Sequence, residues 1–439
     1  MPTPTRTLVL FTRDLRVHDH PALWSAATSG EVVPLAVVEP SLLSRSPNRA
    51  RFYLECLADL DESLRGCGGA LHVRRGDVVT ETMRVARAAR CDAIALTADV
   101  GPYAARRTDR LELACDAAGI ELRMFPGNDL IDAGAIAPQG RDGYRVFGPY
   151  ARAWLAVERR PVAPTIRRLR QRPEVVPLGR RPRPGSVRPT ASVPARGGER
   201  AGRAQLSAFL RAGVERYGST RSRPDLGGAS RLSPYLRFGC VSPVEAVVRA
   251  AEHVGGEAFV RQLAWRDFFR QLLAMEPALG TIDLRPGPRD DRTADPGALD
   301  GWTNGRTGVP LVDAGMRQLM AEGWIHNRVR MVAASFLTRR LGIPWQEGAA
   351  VFWRLLLDGD TASNAGNWQW IAGTGTDPRR MRAFNPVRQA KRCDPEGAYV
   401  RRWIPELRDA PLRLVFGPWK DRWLLDATGY PSPIVPVDG

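Results

Sequence analysis

The chain has 439 residues, long for one hydrophobic core, so two or three domains are expected. Its formal net charge is +17 and Lys391 and Lys420 are its only lysines; arginine pairs bidentately with phosphate and stacks on flat rings, which suits a nucleic-acid partner. A membrane span needs about 18 apolar residues, which no run approaches, and M-P-T-P-T-R lacks a signal-peptide core, so a soluble, intracellular, metal-free protein is expected.

Thr7–Phe11 reads as a buried strand, and 32–38 as a second, interrupted by Pro34. Ala50–Arg65 has helical spacing through Phe52, Leu54, Leu57, Leu60 and Leu64. Strands at 71–74, 93–97 and 121–125 alternate with helices at 78–89 and 106–118. His18 and His20 fall in a loop signal. Such alternation predicts a parallel, Rossmann-like sheet covered by helices. No G-x-G-x-x-G and no G-x-x-x-x-G-K marks a nucleotide there. The six cysteines are scattered, with no C-x-x-C, and give neither a disulfide framework nor a metal site.

From 155 to 200 prolines and arginines alternate with few large apolar residues, the composition of an irregular linker. The expected layout is an α/β domain over 1–135, a linker over 136–200 and an all-α domain over 201–439. Within the last, three segments mix wide aromatics with polar groups. In F-V-R-Q-L-A-W-R-D-F-F (259–269), Gln262, Trp265, Arg266 and Phe269 share one helical face. In W-I-H-N-R-V-R-M (324–331), Asn327, Arg330 and Met331 do the same. In D-G-D-T-A-S-N-A-G-N-W-Q-W (358–370), Gly359 and Gly366 argue against a continuous helix over 358–367. A turn aiming polar groups inward is expected there, followed by a short helical piece carrying Trp368 and Trp370. Each face alone would pass for an amphipathic helix with solvated charges. Three in one α domain suggest a polar-lined cavity for a large planar ligand.

The motifs F-T-R-D-L-R-V-H-D-H-P-A-L (11–23), S-R-L-S-P-Y-L-R-F-G (230–239), W-R-D-F-F (265–269), G-V-P-L-V-D-A-G-M-R-Q-L (308–319), G-W-I-H-N-R-V-R-M (323–331), L-D-G-D-T-A-S-N-A-G-N-W-Q-W (357–370) and F-N-P (384–386) occur in one order. In them the chain resembles the photolyase/cryptochrome family, most of all the photolyases that split cyclobutane pyrimidine dimers. The resemblance implies a carbon–carbon lyase with an all-α FAD-binding catalytic domain, in which reduced flavin passes an electron under blue light to a flipped-out dimer in ultraviolet-damaged DNA. It implies that Tyr217 and the segment Ala229, Ser230, Arg231, Leu232, Ser233 hold the flavin phosphates and ribityl chain. Ala229 departs from the usual threonine and removes a hydroxyl donor. Phe259 and Arg266 would line the same pocket. Arg330 and Asp358 would pair beside the isoalloxazine, with Gly359 in the turn and Asp360 at its polar edge. Asn364 would face flavin N5, where plant cryptochromes carry a proton-donating aspartate.

On the substrate side the resemblance assigns Trp265 and Trp370 to cradling the lesion, with Phe269 beside them. Gln262 stands where repair relatives usually have glutamate. Asn327 and Met331 stand where six-four photolyases carry catalytic histidines. Arg221, Arg328 and Gln389 match positions that hold the DNA backbone. Trp368 and Trp345 match the first two members of a tryptophan relay. The third should fall near 292, where the chain has Arg292; Trp302, Trp324 and Trp353 are alternative exits. A second, antenna chromophore is implied, with A-D-V-G-P-Y-A-A-R-R (98–107) and Arg49 favouring 8-hydroxy-deazaflavin over methenyltetrahydrofolate. The resulting expectation is a monomeric, bacterial, cytoplasmic and nucleoid-associated repair enzyme. A cryptochrome-like photoreceptor, a six-four photolyase and, more weakly, a plain flavoprotein oxidoreductase are the alternatives.

Overall fold

A computed structural model describes residues 5–172, 176–286, 296–376 and 383–437. Arg292 lies outside the described residues. The chain forms two compact units. The first comprises Met1–Pro189, Arg196–Val214 and Ser230–Ala278, the second Thr190–Ala195, Glu215–Ala229 and Leu279–Gly439.

The first unit is built on a parallel sheet of β1 (Thr5–Phe11), β2 (Gly30–Val38), β3 (His72–Arg75), β4 (Ala93–Thr97) and β5 (Glu121–Phe125), in the order β3-β2-β1-β4-β5. The order reverses between β1 and β4, as in doubly wound sheets. Leu8, Leu10, Leu35, Ile94 and Leu96 pack on Val79, Met83, Leu111 and Cys115, from helices Val78–Ala88 and Pro102–Asp116. Pro34 does not break β2. Val32 gives its N–H to the Arg170 carbonyl at 2.8 Å, on the side away from β1. Pro34, two residues on, would point the same way, and the β2–β3 ladder starts only at Leu35 opposite His72. The missing N–H therefore falls in a gap.

A helix at Pro21–Ser29 was not expected. His20 caps it by accepting the N–H of Leu23 at 3.1 Å, and Pro21 supplies a preset φ at the first position. The Pro/Arg-rich stretch is largely irregular but is tied down, Leu169 N–H bonding the Cys67 carbonyl at 2.7 Å and Val73 N–H the Leu178 carbonyl at 2.8 Å.

Among the described residues the second unit contains no strand. Helices Pro310–Glu322, Asn327–Ser335, Trp345–Leu355 and Thr361–Ala372 surround a core that includes Trp302, Leu319, Ile325, Val332 and Leu337. Here one expectation is corrected. The helix begins at Thr361 and runs unbroken through Gly366. Asp360 caps it, Oδ1 accepting the Ser363 N–H at 3.2 Å, and Ala362, Ala365, Trp368, Gln369 and Ile371 are buried. The cap and that burial outweigh the roughly 1 kcal/mol a helical glycine costs. No helix among the described residues is long and apolar enough to cross a membrane.

Candidate functional site

In the second unit, Asp358 sits in the turn that follows the Trp345–Leu355 helix, and Arg330 projects from Asn327–Ser335. Arg330 Nη2 meets Asp358 Oδ2 at 2.7 Å, while its Nε donates to the Ile325 carbonyl at 2.9 Å. Asp358 Oδ1 is buried and has no hydrogen-bond partner among the described residues. A buried carboxylate oxygen left unmatched is costly, so the arrangement calls for a ligand that donates a hydrogen bond. Gly359 links Asp358 to the capping Asp360. Asn364 lies on the first turn of the next helix, and its Nδ2 donates to the Ala349 carbonyl at 3.0 Å, which fixes the amide plane. An amide so held offers hydrogen bonds but no titratable proton.

Asn327 is exposed, with its Nδ2 3.9 Å from Sδ of half-buried Met331 one turn on. Neither side chain titrates. Arg328, next to Asn327, donates Nη2 to Ser222 Oγ at 3.1 Å. Burial pulls its guanidinium below the usual range; Cys393 opposes this, and Arg392 and Arg221 add to it. Arg328 thus feels the charges of two other arginines, an arrangement suited to a phosphate chain. Gln389 lies half-buried on the Pro386–Cys393 helix. Tyr217 is buried at 8 % exposure on the short helix Tyr217–Thr220 and burial raises its phenol, while Ala229 is half-buried.

The tryptophans divide by environment. Trp368 is 2 % exposed and meets Phe352 edge-on at 5.1 Å and Trp302 at 6.1 Å. Trp302 is fully buried and donates Nε1 to the Ala333 carbonyl at 3.0 Å. Trp345 is 4 % exposed, Trp324 is buried, and Trp353 and Trp370 are half-buried.

In the first unit, the helix Gly256–Met275 carries Phe259, Gln262, Trp265, Arg266 and Phe269. Phe259 and Phe269 are buried, and Gln262, Trp265 and Arg266 are half-buried. Trp265 stacks on Phe147 with centroids 3.6 Å apart and lies 5.5 Å from Phe269. Gln262 Nε2 reaches the Ala258 carbonyl at only 3.5 Å, so its amide is loosely held. Arg266 Nη1 is committed to Asp129 at 3.3 Å and Asp267 at 3.1 Å. Arg231 has φ +54 and Leu232 φ −85. Adjacent left- and right-handed residues turn successive N–H groups to one side, an anion-binding concavity. Ser230 and Ser233 flank it, and the Ser230 carbonyl accepts from Gln205 Nε2 at 2.9 Å.

Two residues of this unit escaped the sequence reading. Phe147 falls inside the 136–200 span expected to be a linker, yet it opens a helix, Phe147–Ala156. Asp267, one position after Arg266, accepts Trp154 Nε1 at 3.1 Å and the Leu130 N–H at 2.9 Å. Burial, aided by Asp129, pushes its carboxyl up to about 6. Its only sequence signal is an acid where the helical pattern demands an apolar residue.

A family model described as "DNA photolyase" matches residues 7–167, and one described as "FAD binding domain of DNA photolyase" matches residues 259–439. The chain belongs to the DNA photolyase family. It is 45 % identical to a deoxyribodipyrimidine photo-lyase of Streptomyces griseus, over 98 % of this chain and 96 % of that one. A Thermus thermophilus protein of the same name is 40 % identical over 91 % of this chain and 92 % of its own. Among solved structures, a class III photolyase from Agrobacterium tumefaciens superposes with TM-score 0.90 at 30 % identity, covering 99 % of this chain and 95 % of that one. A Synechocystis cryptochrome also gives TM-score 0.90, at 27 % identity over 99 % of this chain and 98 % of its own.

Proposed function

We propose that the chain binds FAD and uses blue light to split cyclobutane pyrimidine dimers in ultraviolet-damaged DNA. The observation that carries the reading is the buried Asp358 carboxylate, gripped by Arg330 on one oxygen and lacking a donor on the other. An isoalloxazine edge supplies N–H donors in the plane such a carboxylate needs. The concavity at Arg231–Leu232, with Ser230 and Ser233, is suited to the phosphates, and Tyr217, Phe259 and Arg266 to the remaining contacts. Bound in its reduced form, the flavin supplies a photoexcited electron donor. Asn364, held by Ala349, offers a fixed amide to the ring and cannot protonate it, which favours repair over signalling.

Trp265 and Trp370 take the role of stacking on the unpaired lesion, each worth about 1–3 kcal/mol. Phe269 supports Trp265. Gln262 hydrogen-bonds the lesion's bases, and Arg221, Arg328 and Gln389 hold the backbone. Dimer splitting is favoured over six-four chemistry because Asn327 and Met331 have no proton to exchange. A badly stacked dimer is also cheap to extrude from the duplex. For the antenna, Arg107 is buried with Nε and Nη2 lacking partners among the described residues, close enough to Asp99 to help hold its carboxylate low. A ligand rich in acceptors, as 8-hydroxy-deazaflavin is, suits that arginine.

The deciding experiment illuminates reduced holoenzyme with dimer-containing oligonucleotide and follows loss of the lesion. Affinity should favour damaged over undamaged duplex and fall steeply with salt. Equal affinity across a salt series and no lesion loss would favour a photoreceptor instead.

A further inference from the structure

The indole of Trp345 is buried, yet its Nε1–H donates at 2.7 Å to Oδ1 of Asp283, a surface residue. The loop carrying Asp283 is fastened to the interior by one side chain. Fully buried Gln369 donates Nε2 to the carbonyls of Leu279 at 2.8 Å and Ile282 at 2.9 Å, and its Oε1 accepts the Leu284 N–H at 2.9 Å. Arg285 adds an N–H to the Thr374 carbonyl at 3.0 Å and its Nε to the Gly375 carbonyl. Gln369 directly follows Trp368 in the helix Thr361–Ala372. An exposed carboxylate is therefore held in register against the ring N–H of a buried indole.

We infer that Asp283 is the proton acceptor for Trp345 when that indole is oxidised. The inference rests on the reading of Trp368 and Trp345 as a relay. In that relay Trp368 gives one electron to the photoexcited oxidised flavin, which is the oxidant. Trp345 refills Trp368 with one electron and becomes an indole radical cation. Its N–H is far more acidic than that of a neutral indole. The N–H bond breaks, its electron pair stays on nitrogen, and the proton passes to Asp283 Oδ1, leaving a neutral indolyl radical beside a carboxylic acid. An external thiol later returns one electron, and a proton comes back through Asp283.

The proton transfer matters because it makes the charge separation hard to reverse. Once the proton has left, an electron cannot return to the relay without recapturing it. Asp283 faces water, so the proton has an exit that the buried ring alone would lack. Trp302 offers a contrast. It packs on Trp368, but its Nε1 donates to a carbonyl oxygen, which does not take up a proton, and the ring is fully buried. A hole visiting Trp302 has no way to be trapped there. Trp345 is thus the point at which the relay can end, which suits a chain with Arg292 in place of a third indole.

The test is flash spectroscopy on the holoenzyme, since tryptophanyl cation and neutral radical absorb differently. Wild-type protein should convert cation to neutral radical with a solvent-deuterium effect. Asp283→Asn keeps an acceptor oxygen and removes the base. It should slow the conversion at least about a hundredfold, the low end for a positioned base, and Asp283→Glu should restore much of the rate. Conversion at the wild-type rate in Asp283→Asn overturns the inference. A radical signal unchanged in Trp345→Phe instead overturns the relay reading, and this inference with it. A second readout needs no light. The indole N–H resonance lost in Trp345→Phe should move in Asp283→Asn; a resonance that stays in place shows that the bond is not made and overturns the inference by itself.

Discussion

Phe147 and Trp265 lie ring over ring, 3.6 Å between centroids and 10° from parallel. Phe268 stands edge-on to both, at 5.7 Å from each, and the Arg261 guanidinium carbon lies 5.0 Å from the Phe147 centroid. If Trp265 stacks on a base, Phe147 is what holds the indole ready to do so. Such aromatic pairs are worth about 0.5–1.5 kcal/mol beyond their buried area. Phe147→Leu should therefore weaken binding of a dimer-containing oligonucleotide by roughly 2- to 13-fold, with less effect on undamaged duplex. Trp265→Ala should cost more. Parallel titrations of both duplexes measure it; equal losses on the two would separate Phe147 from lesion recognition.

Gln262 bears on yield more than on binding. Its amide keeps an acceptor oxygen and adds donors, and its one intrahelical contact is weak. Binding of the dimer should survive, while repair proceeds with a lowered quantum yield for want of a carboxyl near the lesion's radical anion. Gln262→Glu should raise the yield with little change in affinity. Actinometry on the variant and the wild type decides it. Efficient repair of six-four photoproducts by the wild type would show that Asn327 and Met331 were misread.

Much of this was legible because it is local. β4 falls at 93–97, as its apolar run specifies, since a buried parallel strand has little but its own side chains to define it; β5 falls at 121–125 as an edge strand with mixed side chains. The polar faces on 256–275 and 327–335 were visible for the same reason. Where neighbours decide, the reading failed. Gly366 looks like a helix breaker until the Asp360 cap and the burial around it are counted. His20 looks like loop until its ring is seen capping the next helix. Phe147 opens the helix Phe147–Ala156, whose buried face runs through Tyr150, Ala151 and Trp154 at helical spacing, so the helix was legible there; only its partner on another helix gives Phe147 its role. The Trp345–Asp283 bond joins residues 62 apart and leaves no trace in any motif.

Asp267 gives the protein a distinctive pH dependence. Its carboxyl rises from the usual 3.8 to about 6 because burial, and then Asp129, disfavour the charge; Arg266 and the Trp154 N–H only partly oppose them. A carboxyl raised on folding binds more protons native than unfolded between those values. Its contribution to stability is full below about pH 4 and is lost as pH rises through about 6. Asp267→Asn should remove that slope, a difference on the order of 1–3 kcal/mol across the window. Urea unfolding of both proteins through the window measures it. Parallel stability curves would show that Asp267 stays ionised in the fold.

Trp368 is the step on which photoreduction depends. It fills a tight seat, because a Cβ on Gly348 would collide with its six-membered ring and with Leu337 Cδ2. Phe352 and Trp302 close two further sides. Trp368→Phe keeps most of that packing and removes the oxidisable indole. Light-driven reduction of oxidised flavin by external thiol should be abolished. Repair by chemically pre-reduced enzyme should be largely intact, since that electron runs from flavin to lesion. Trp302→Phe should slow photoreduction little, because its ring has no exit. Gly348→Ala probes position instead of identity. Overpacking of this kind costs about 1–3 kcal/mol, and the displaced indole should reduce the photoreduction rate while leaving pre-reduced repair near normal. Photoreduction at the wild-type rate in Trp368→Phe would place the first electron donor elsewhere in the chain.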